Sequence, residues 1–354
     1  MRHRSVVFAL LLTLLTSAAR AESLRGTGDL GLVVERATGA VLVVDTTQTK
    51  ILGRVAGLGD LSHASAVFSR DQRYAFVFGR DGGLTKVDLL TQSVVARTVQ
   101  SGNSIGGAVS QDGRWIAVSN YTPGGVKIFA AATLALQADF PAAPSGTPNK
   151  VVGIVDLPGN RFAAATYESG EALLYEPAGP GAWKERRFAA GKQPYDAGIT
   201  PDGRFYIVGL FGEDGLALLD TWKPEAGMRK IVPEFAKDDP KLPVFKMPHL
   251  EGWGMAGRYS FLPAVGRHEV LVVDRETWKV TARIPVAGQP VFCVAAPDGR
   301  TVWVNFAVPD YATVQIIDVA TLTPARTLTP GKAILHIEFA PKGESVWLSD
   351  RDGD

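Results

Sequence analysis

The sequence predicts an all-β fold, an eight-bladed β-propeller of four-stranded blades, and three observations lead there. A short phrase recurs as SRDQRYAFVFG (69–79), SQDGRWIAVSN (110–120), LPGNRFAAATY (157–167), TPDGRFYIVGL (200–210), MAGRYSFLPAV (255–265), APDGRTVWVNF (296–306) and APKGESVWLSD (340–350). Its spacing of 41 to 54 residues is in or near the repeat length of propeller blades. Each copy is turn chemistry joining two strands, followed by a strand ending in an acid (LTKVDL, LALLDT, VLVVDR, VQIIDV) and then a further strand such as VTARIPV. Helical periodicity is almost absent, which excludes helical solenoids.

The elements follow in chain order. Residues 1–21, MRHRSVVFALLLTLLTSAARA, read as a cleavable export signal: Arg2 and Arg4 lead, an apolar run spans Val6 to Leu15, and Ala19 and Ala21 frame the cleavage site. The mature chain is then expected to begin at Glu22 in an exported, periplasmic compartment. No later apolar run approaches the roughly 20 residues of a membrane span. The unit 30–55 lacks the strand that precedes the turn in the others, and the last unit stops after SVWLSDRDGD. Residues 22–354 are therefore expected to be one propeller domain truncated at its C-terminus. The absent strands would finish the eighth blade and supply the innermost strand of the first, leaving no open edge. A proline- and charge-rich segment, 223–254, reads as an insertion over one face of the ring.

Composition narrows the function. With 37 basic and 36 acidic side chains the net charge is +1, with no clustered basic surface for nucleic acid. The one cysteine, Cys293, lies among apolar neighbours as a buried structural thiol, and the lack of C-x-x-C-H excludes covalent heme attachment. H-E-x-x-H and Walker motifs are absent too.

In a propeller, the strand ahead of each turn phrase runs nearest the central axis, and its first residues face the channel mouth. His63, His249 and His336 fall there, three of the four histidines that follow the export signal, whereas His268 lies outside. Asn103 opens the matching segment NSIGGAVS, and Tyr195 and Asp196 open PYDAGIT. A zinc site drawing on Asp196, Glu251 or Glu338 is one use of such a ring of imidazoles. The width of the channel favours a planar ligand, a non-covalent iron tetrapyrrole with an axial histidine and basic residues on its carboxylates. Arg73, Arg80, Lys86 and Arg114 cluster in the second and third units as candidates for those carboxylates. Tyr195, Asp196, His249 and Glu251 are the candidates for moving protons at the edge of a bound macrocycle.

The stretch SHASAVFSRDQRYAFVFGRDGGLTKVDL closely resembles the heme d1 segment of cytochrome cd1 nitrite reductase. That resemblance implies that His63 is the axial ligand of the iron and that Arg80, in the G-R-D-G phrase, binds heme carboxylates; Arg73 is then a structural turn residue. The whole mature chain more closely resembles the NirF family of heme d1 biosynthesis proteins. GNSIGGAVSQDGRWIAVSNYTPGGVK, GKQPYDAGITPDGRFYIVGLFGEDGLALLD, KLPVFKMPHLEGWGMAG and FLPAVGRHEVLVVD carry the match. From their places in the repeat, Lys86, Arg114, Asn103 and His336 are expected to join the binding set for heme d1 or its immediate precursor, whose binding the resemblance implies. It also implies a late role in making the cofactor of the nitrite reductase, in contact with that enzyme and other heme d1 maturation proteins, and homodimerisation is a further possibility it raises. Two readings stay open: an enzyme that dehydrogenates or otherwise modifies a side chain of the precursor, and a non-catalytic carrier or scaffold that delivers the cofactor.

Overall fold

A computed structural model describes residues 27–144, 146–233, 235 and 252–353. Among them the chain folds into eight antiparallel sheets, each an up-and-down meander of consecutive strands. Sheet 1 has three strands, Leu30–Glu35, Ala40–Asp45 and Lys50–Val55. Six four-stranded sheets follow: sheet 2 from Ser65–Phe68 to Ser93–Val99, sheet 3 from Asn103–Val109 to Leu136–Pro141, sheet 4 from Val151–Leu157 to Trp183–Ala189, sheet 5 from Pro194–Ile199 to Met228–Ile231, sheet 6 from Gly254–Ala256 to Lys279–Pro285, and sheet 7 from Pro290–Ala295 to Thr323–Leu328. Sheet 8 has two, Ile334–Phe339 and Val346–Asp350.

Burial grades across each sheet as a propeller requires. Second and third strands such as Tyr74–Phe78 and Gly83–Asp88 are buried almost throughout, because each sheet packs both faces against neighbours. Fourth strands such as Thr323–Leu328 are exposed at the rim. First strands of successive sheets touch one another, those of sheets 2 and 3, 3 and 4, and 4 and 5 among them, so they form the inner wall. The core lies between sheets: Ala163, Ala165 and Leu174 of sheet 4 meet Tyr206, Val208 and Leu219 of sheet 5. Lys342 Nζ of sheet 8 lies 2.7 Å from Asp29 Oδ1 at the start of sheet 1, joining the first and last described sheets.

The recurrent sequence phrases have a local physical cause. In SRDQR, Ser69 Oγ donates to Asp71 Oδ1 (2.5 Å) while accepting from the N–H of Tyr74 (2.9 Å), and the Arg73 N–H donates to Asp71 (3.2 Å). Ser110–Asp112 and Thr200–Asp202 repeat that network in sheets 3 and 5. The fourth turn position takes a left-handed backbone, which is why Gly113 and Gly203 stand there and Asn160 and Gln72 tolerate it. The acids that end third strands accept N–H groups of the next turn: Leu90 to Asp88 (2.9 Å), Trp222 to Asp220 (3.0 Å), Glu276 to Asp274 (2.9 Å). The turn arginines Arg73, Arg204 and Arg258 close onto these same three acids. Arg73 is thus a structural residue of its own sheet.

One expectation changes here. The insertion assigned to 223–254 begins later, because Met228–Ile231 pairs with Leu216–Leu219 as the fourth strand of sheet 5 and Pro224–Ala226 is a single 3-10 turn before it. Arg70 was passed over, yet it spans three sheets, donating to Ser110 O (2.9 Å) and Asp156 Oδ2 (2.7 Å) as well as to Val109 O.

The inner wall is tight enough to be tested at one residue. Gly153 has φ +57° and a Cβ there would stand 2.5 Å from the Ala197 Cβ of the next inner strand. Gly153→Ala is expected to cost about 1–3 kcal/mol through backbone strain and overpacking, read as a lower midpoint in urea with an unchanged slope.

Candidate functional site

Register fixes which residues share an end of the ring. In sheet 2, Ser65 pairs with Phe78 and Phe68 with Ala75. The loop carrying His63 and the turn carrying Arg80 therefore lie together at one end, the mouth, while turn 69–73 lies at the other, the turn end. At the mouth, the Arg36 Nε of sheet 1 donates to Ser62 O at 2.7 Å and the Arg80 N–H to Asp60 O at 2.8 Å, binding both basic residues to the His63 loop. Asp81, beside Arg80, is used internally: it accepts from Arg97 Nη2 (2.5 Å) and from the Gly83 N–H (2.9 Å). Gly82 completes the turn at φ +78°, where a Cβ would lie 2.0 Å from Ser101 O. With Asp81 committed to the fold, the Arg80 side chain is exposed at the mouth, as is His63.

The His63 imidazole is held below its ordinary pKa of 6.5, first by partial loss of hydration and then by the Arg36 and Arg80 charges. It is thus kept neutral, with a lone pair free to bind a metal.

A β-bulge recurs at the mouth end of four inner strands. The register slips between Val152 and Val155, Pro194 and Ala197, Pro290 and Cys293, and Ile334 and Ile337. Each slip places one extra residue on the inner strand, which re-aims side chains there. Tyr195–Asp196 and Leu335–His336 are two of these bulged pairs, and Val291–Phe292 is a third. The His336 ring lies 5.6 Å from that of Phe292. Asn305, fully buried, fixes both bulges: its Oδ1 accepts from the Phe292 N–H (2.9 Å), and its Nδ2 donates to Leu335 O (2.7 Å) and Ile334 O (3.2 Å). In sheet 5, Tyr195 packs with Tyr167 (6.2 Å) and Phe211 (5.8 Å), and Lys150 Nζ sits 4.2 Å from the Tyr167 ring centre. Burial, then Asp196, raises the Tyr195 phenol above its ordinary value, so it stays protonated. Asn103, at the mouth end of sheet 3, carries a buried Oδ1 with no hydrogen-bond donor among the described residues.

The structure thus brings His63 and Arg80 together, and places Asn103, Tyr195, Asp196 and His336 at the same end. Lys86 and Arg114 are not with them. Lys86 is buried, donates to Ala131 O (3.0 Å) and Ala132 O (3.2 Å) of sheet 3, and lies 4.2 Å from the Tyr74 ring centre, toward the turn end. Arg114 belongs to a turn-end loop and pairs with Asp112 at 2.6 Å. Both corrections have one reason: neighbours in sequence were read as neighbours in space, whereas antiparallel strands send successive turns to opposite ends. His249 and Glu251 lie outside the described residues. Cys293 is buried and free, its thiol pushed up by burial. No group of three or more His, Cys, Asp or Glu side chains suited to a bare metal ion occurs among the described residues.

Sequence reasoning missed Arg36, Asn305, Tyr167 and Phe211. The two aromatics had a usable signal, since Tyr167 ends the phrase LPGNRFAAATY and Phe211 directly follows TPDGRFYIVGL, where second strands reach the mouth.

The signature of the Cytochrome D1 heme domain family matches residues 25–354. The chain is 56% identical over 349 residues to Protein NirF of Pseudomonas aeruginosa, a match covering 98% of this chain and 89% of that one. It is 55% identical over 345 residues to Protein NirF of Stutzerimonas stutzeri, covering 96% and 88%. Among solved structures, the dihydro-heme d1 dehydrogenase NirN in complex with DHE superposes with a TM-score of 0.80 at 26% identity, covering 95% of this chain and 72% of that one.

Two outcomes are expected from the site's geometry. By NMR the His63 imidazole should titrate below 6.5, and Arg80→Gln should raise its midpoint. Below 6.5 the unfolded chain takes up this proton before the folded one, so the contribution of His63 to stability is present above 6.5 and is lost as pH falls through the folded value. Asn305→Ala should cost about 1–3 kcal/mol in denaturant unfolding, because one buried and two half-buried backbone groups lose their partner.

Proposed function

Because the chain belongs to the NirF family of Cytochrome D1 heme domain proteins, we propose that it binds heme d1 or a late precursor non-covalently at the mouth and serves the final stages of making that cofactor. The observation that carries this reading is the neutral His63 imidazole set beside two guanidiniums, Arg36 and Arg80. An iron tetrapyrrole asks for that pairing, a nitrogen lone pair for the metal and cations for the carboxylates at its rim. The buried Asn103 Oδ1 adds an acceptor awaiting a donor. In this reading His63 would hold the iron, Arg80 and Arg36 would hold carboxylates, and His336 and Asn103 would complete the binding set. When bound, the cofactor or its precursor supplies the iron and the conjugated ring.

The residues beside it suit a side-chain modification. Asp196 stands next to Tyr195, whose phenol keeps its proton, and the pair offers a proton acceptor and a donor at one place. Dehydrogenation of a precursor side chain would draw on Asp196 to take one hydrogen as a proton and on an outside acceptor to take the second hydrogen with the electron pair. His249 and Glu251 stay candidates for the same work. The alternative is a carrier that delivers the finished cofactor to the cd1 nitrite reductase; the exposure of His63 and Arg80 at the mouth favours ready transfer. In either case residues 1–21 direct the chain to the periplasm, where the reductase would receive it.

Adding heme d1 to the purified protein should shift the visible spectrum, and His63→Ala should abolish the shift; a shift that persists in that variant would sink the assignment of His63 to the iron. Arg80→Gln should weaken binding by about tenfold or more while leaving the ligand-field bands in place. Incubating the immediate precursor with an electron acceptor separates the two readings: loss of two hydrogens by mass spectrometry marks an enzyme, and an unaltered mass with transfer to the reductase marks a carrier.

A further inference from the structure

The turn end holds a second feature that the mouth does not use. Between sheets 5 and 6 lies a groove of about 760 Å³, lined by the turns around Thr200–Phe205, Lys223–Arg229, Arg258 and Arg275–Trp278. Two equivalent gaps are bridged. Lys86 of sheet 2, two residues before the acid Asp88, reaches across to Ala131 O and Ala132 O of sheet 3. Between sheets 4 and 5, the turn arginine Arg161 reaches across to Thr221 O at 2.9 Å. Between sheets 5 and 6 neither device operates. Leu218, two residues before the acid Asp220, stands at the position of Lys86, and Arg204 and Arg258 turn back onto their own acids, Asp220 and Asp274.

What lines the open gap is donors. Five cations face three carboxylates there, and two of those cations, Lys223 and Arg229, have no side-chain partner among the described residues. Trp278, 3% exposed, packs against Phe205 at 5.3 Å, yet its indole N–H has no acceptor among the described residues. Arg275 Nε is likewise buried without one. Two buried donors left without acceptors carry a desolvation penalty that an acceptor-rich guest would recover. The volume falls within the roughly 300–1,000 Å³ of small-molecule sites.

We propose that this groove binds a small polyanion, through phosphate or carboxylate oxygens held by Lys223, Arg229, Arg275 Nε and the Trp278 indole N–H. It is a site separate from the mouth, at the opposite end of the ring.

The test is calorimetric titration of the purified protein with inorganic pyrophosphate and, separately, citrate, at about 20 mM salt so that screening is weak. Saturable binding of at least one probe with a dissociation constant below about 1 mM is expected, and the stronger probe tells phosphate from carboxylate. The double variant Lys223→Ala/Arg229→Ala should weaken it by about tenfold or more, and Trp278→Phe, which keeps the ring but removes the N–H, by about three- to tenfold. Heme d1 binding by the double variant should match that of the parent protein, which separates this site from the mouth and shows that the variant is folded. Absence of saturable binding for both probes would overturn the proposal, as would undiminished binding in the double variant.

Discussion

The carboxylate that ends the third strand is the contact on which the rest of this fold depends. Asp88, Asp220 and Asp274 each do two things at once: they cap the turn into the fourth strand and pull a guanidinium over from the turn between the first two strands. Both turns of a sheet are thereby tied at the same end, and the four strands are held in one register. Arg204 holds the Asp220 carboxyl below the usual range, so the tie is charged at any pH at which the protein works. Asp45 and Asp318 cap their turns in the same way, through the N–H groups of Gln48 and Thr321.

With the turn end fixed by local chemistry, the mouth is free to vary. There the first strands carry bulges, and the side chains they present differ from sheet to sheet. That division explains why basic residues close together in the chain have unlike destinies. Arg73 and Arg114 serve turns, Lys86 crosses to the next sheet, and Arg80 alone of the four is exposed at the mouth.

The same division decides what could be read in the sequence. Turn networks join residues two to five apart, so the phrases around Asp71, Asp112 and Asp202 were legible, and with them the period and the propeller. The position of His63 followed, because it needs only the direction of one strand. Lys86 did not: its acceptors stand 45 and 46 residues away on another sheet, and nothing near Lys86 encodes them. Asn305 was hidden for the same reason, bonded across 29 and 30 residues to the carbonyls of sheet 8. Bulges escaped as well, since one added residue leaves an apolar pattern readable in either register. The short strand Met228–Ile231 was masked by the proline and charge around it.

The repeated bulge has a consequence for how such a ring can be altered over generations. Ile154, Asp196, Phe292 and His336 hold the same place in sheets 4, 5, 7 and 8, as the second residue of the bulged pair. The place is filled by an aliphatic group packed in the core between sheets 3 and 4, an acid, an aromatic ring and an exposed imidazole. A change at the exposed or half-buried members alters the chemistry shown at the mouth while the turns that hold the sheets together keep their wording, so one scaffold can be revised at that end one residue at a time.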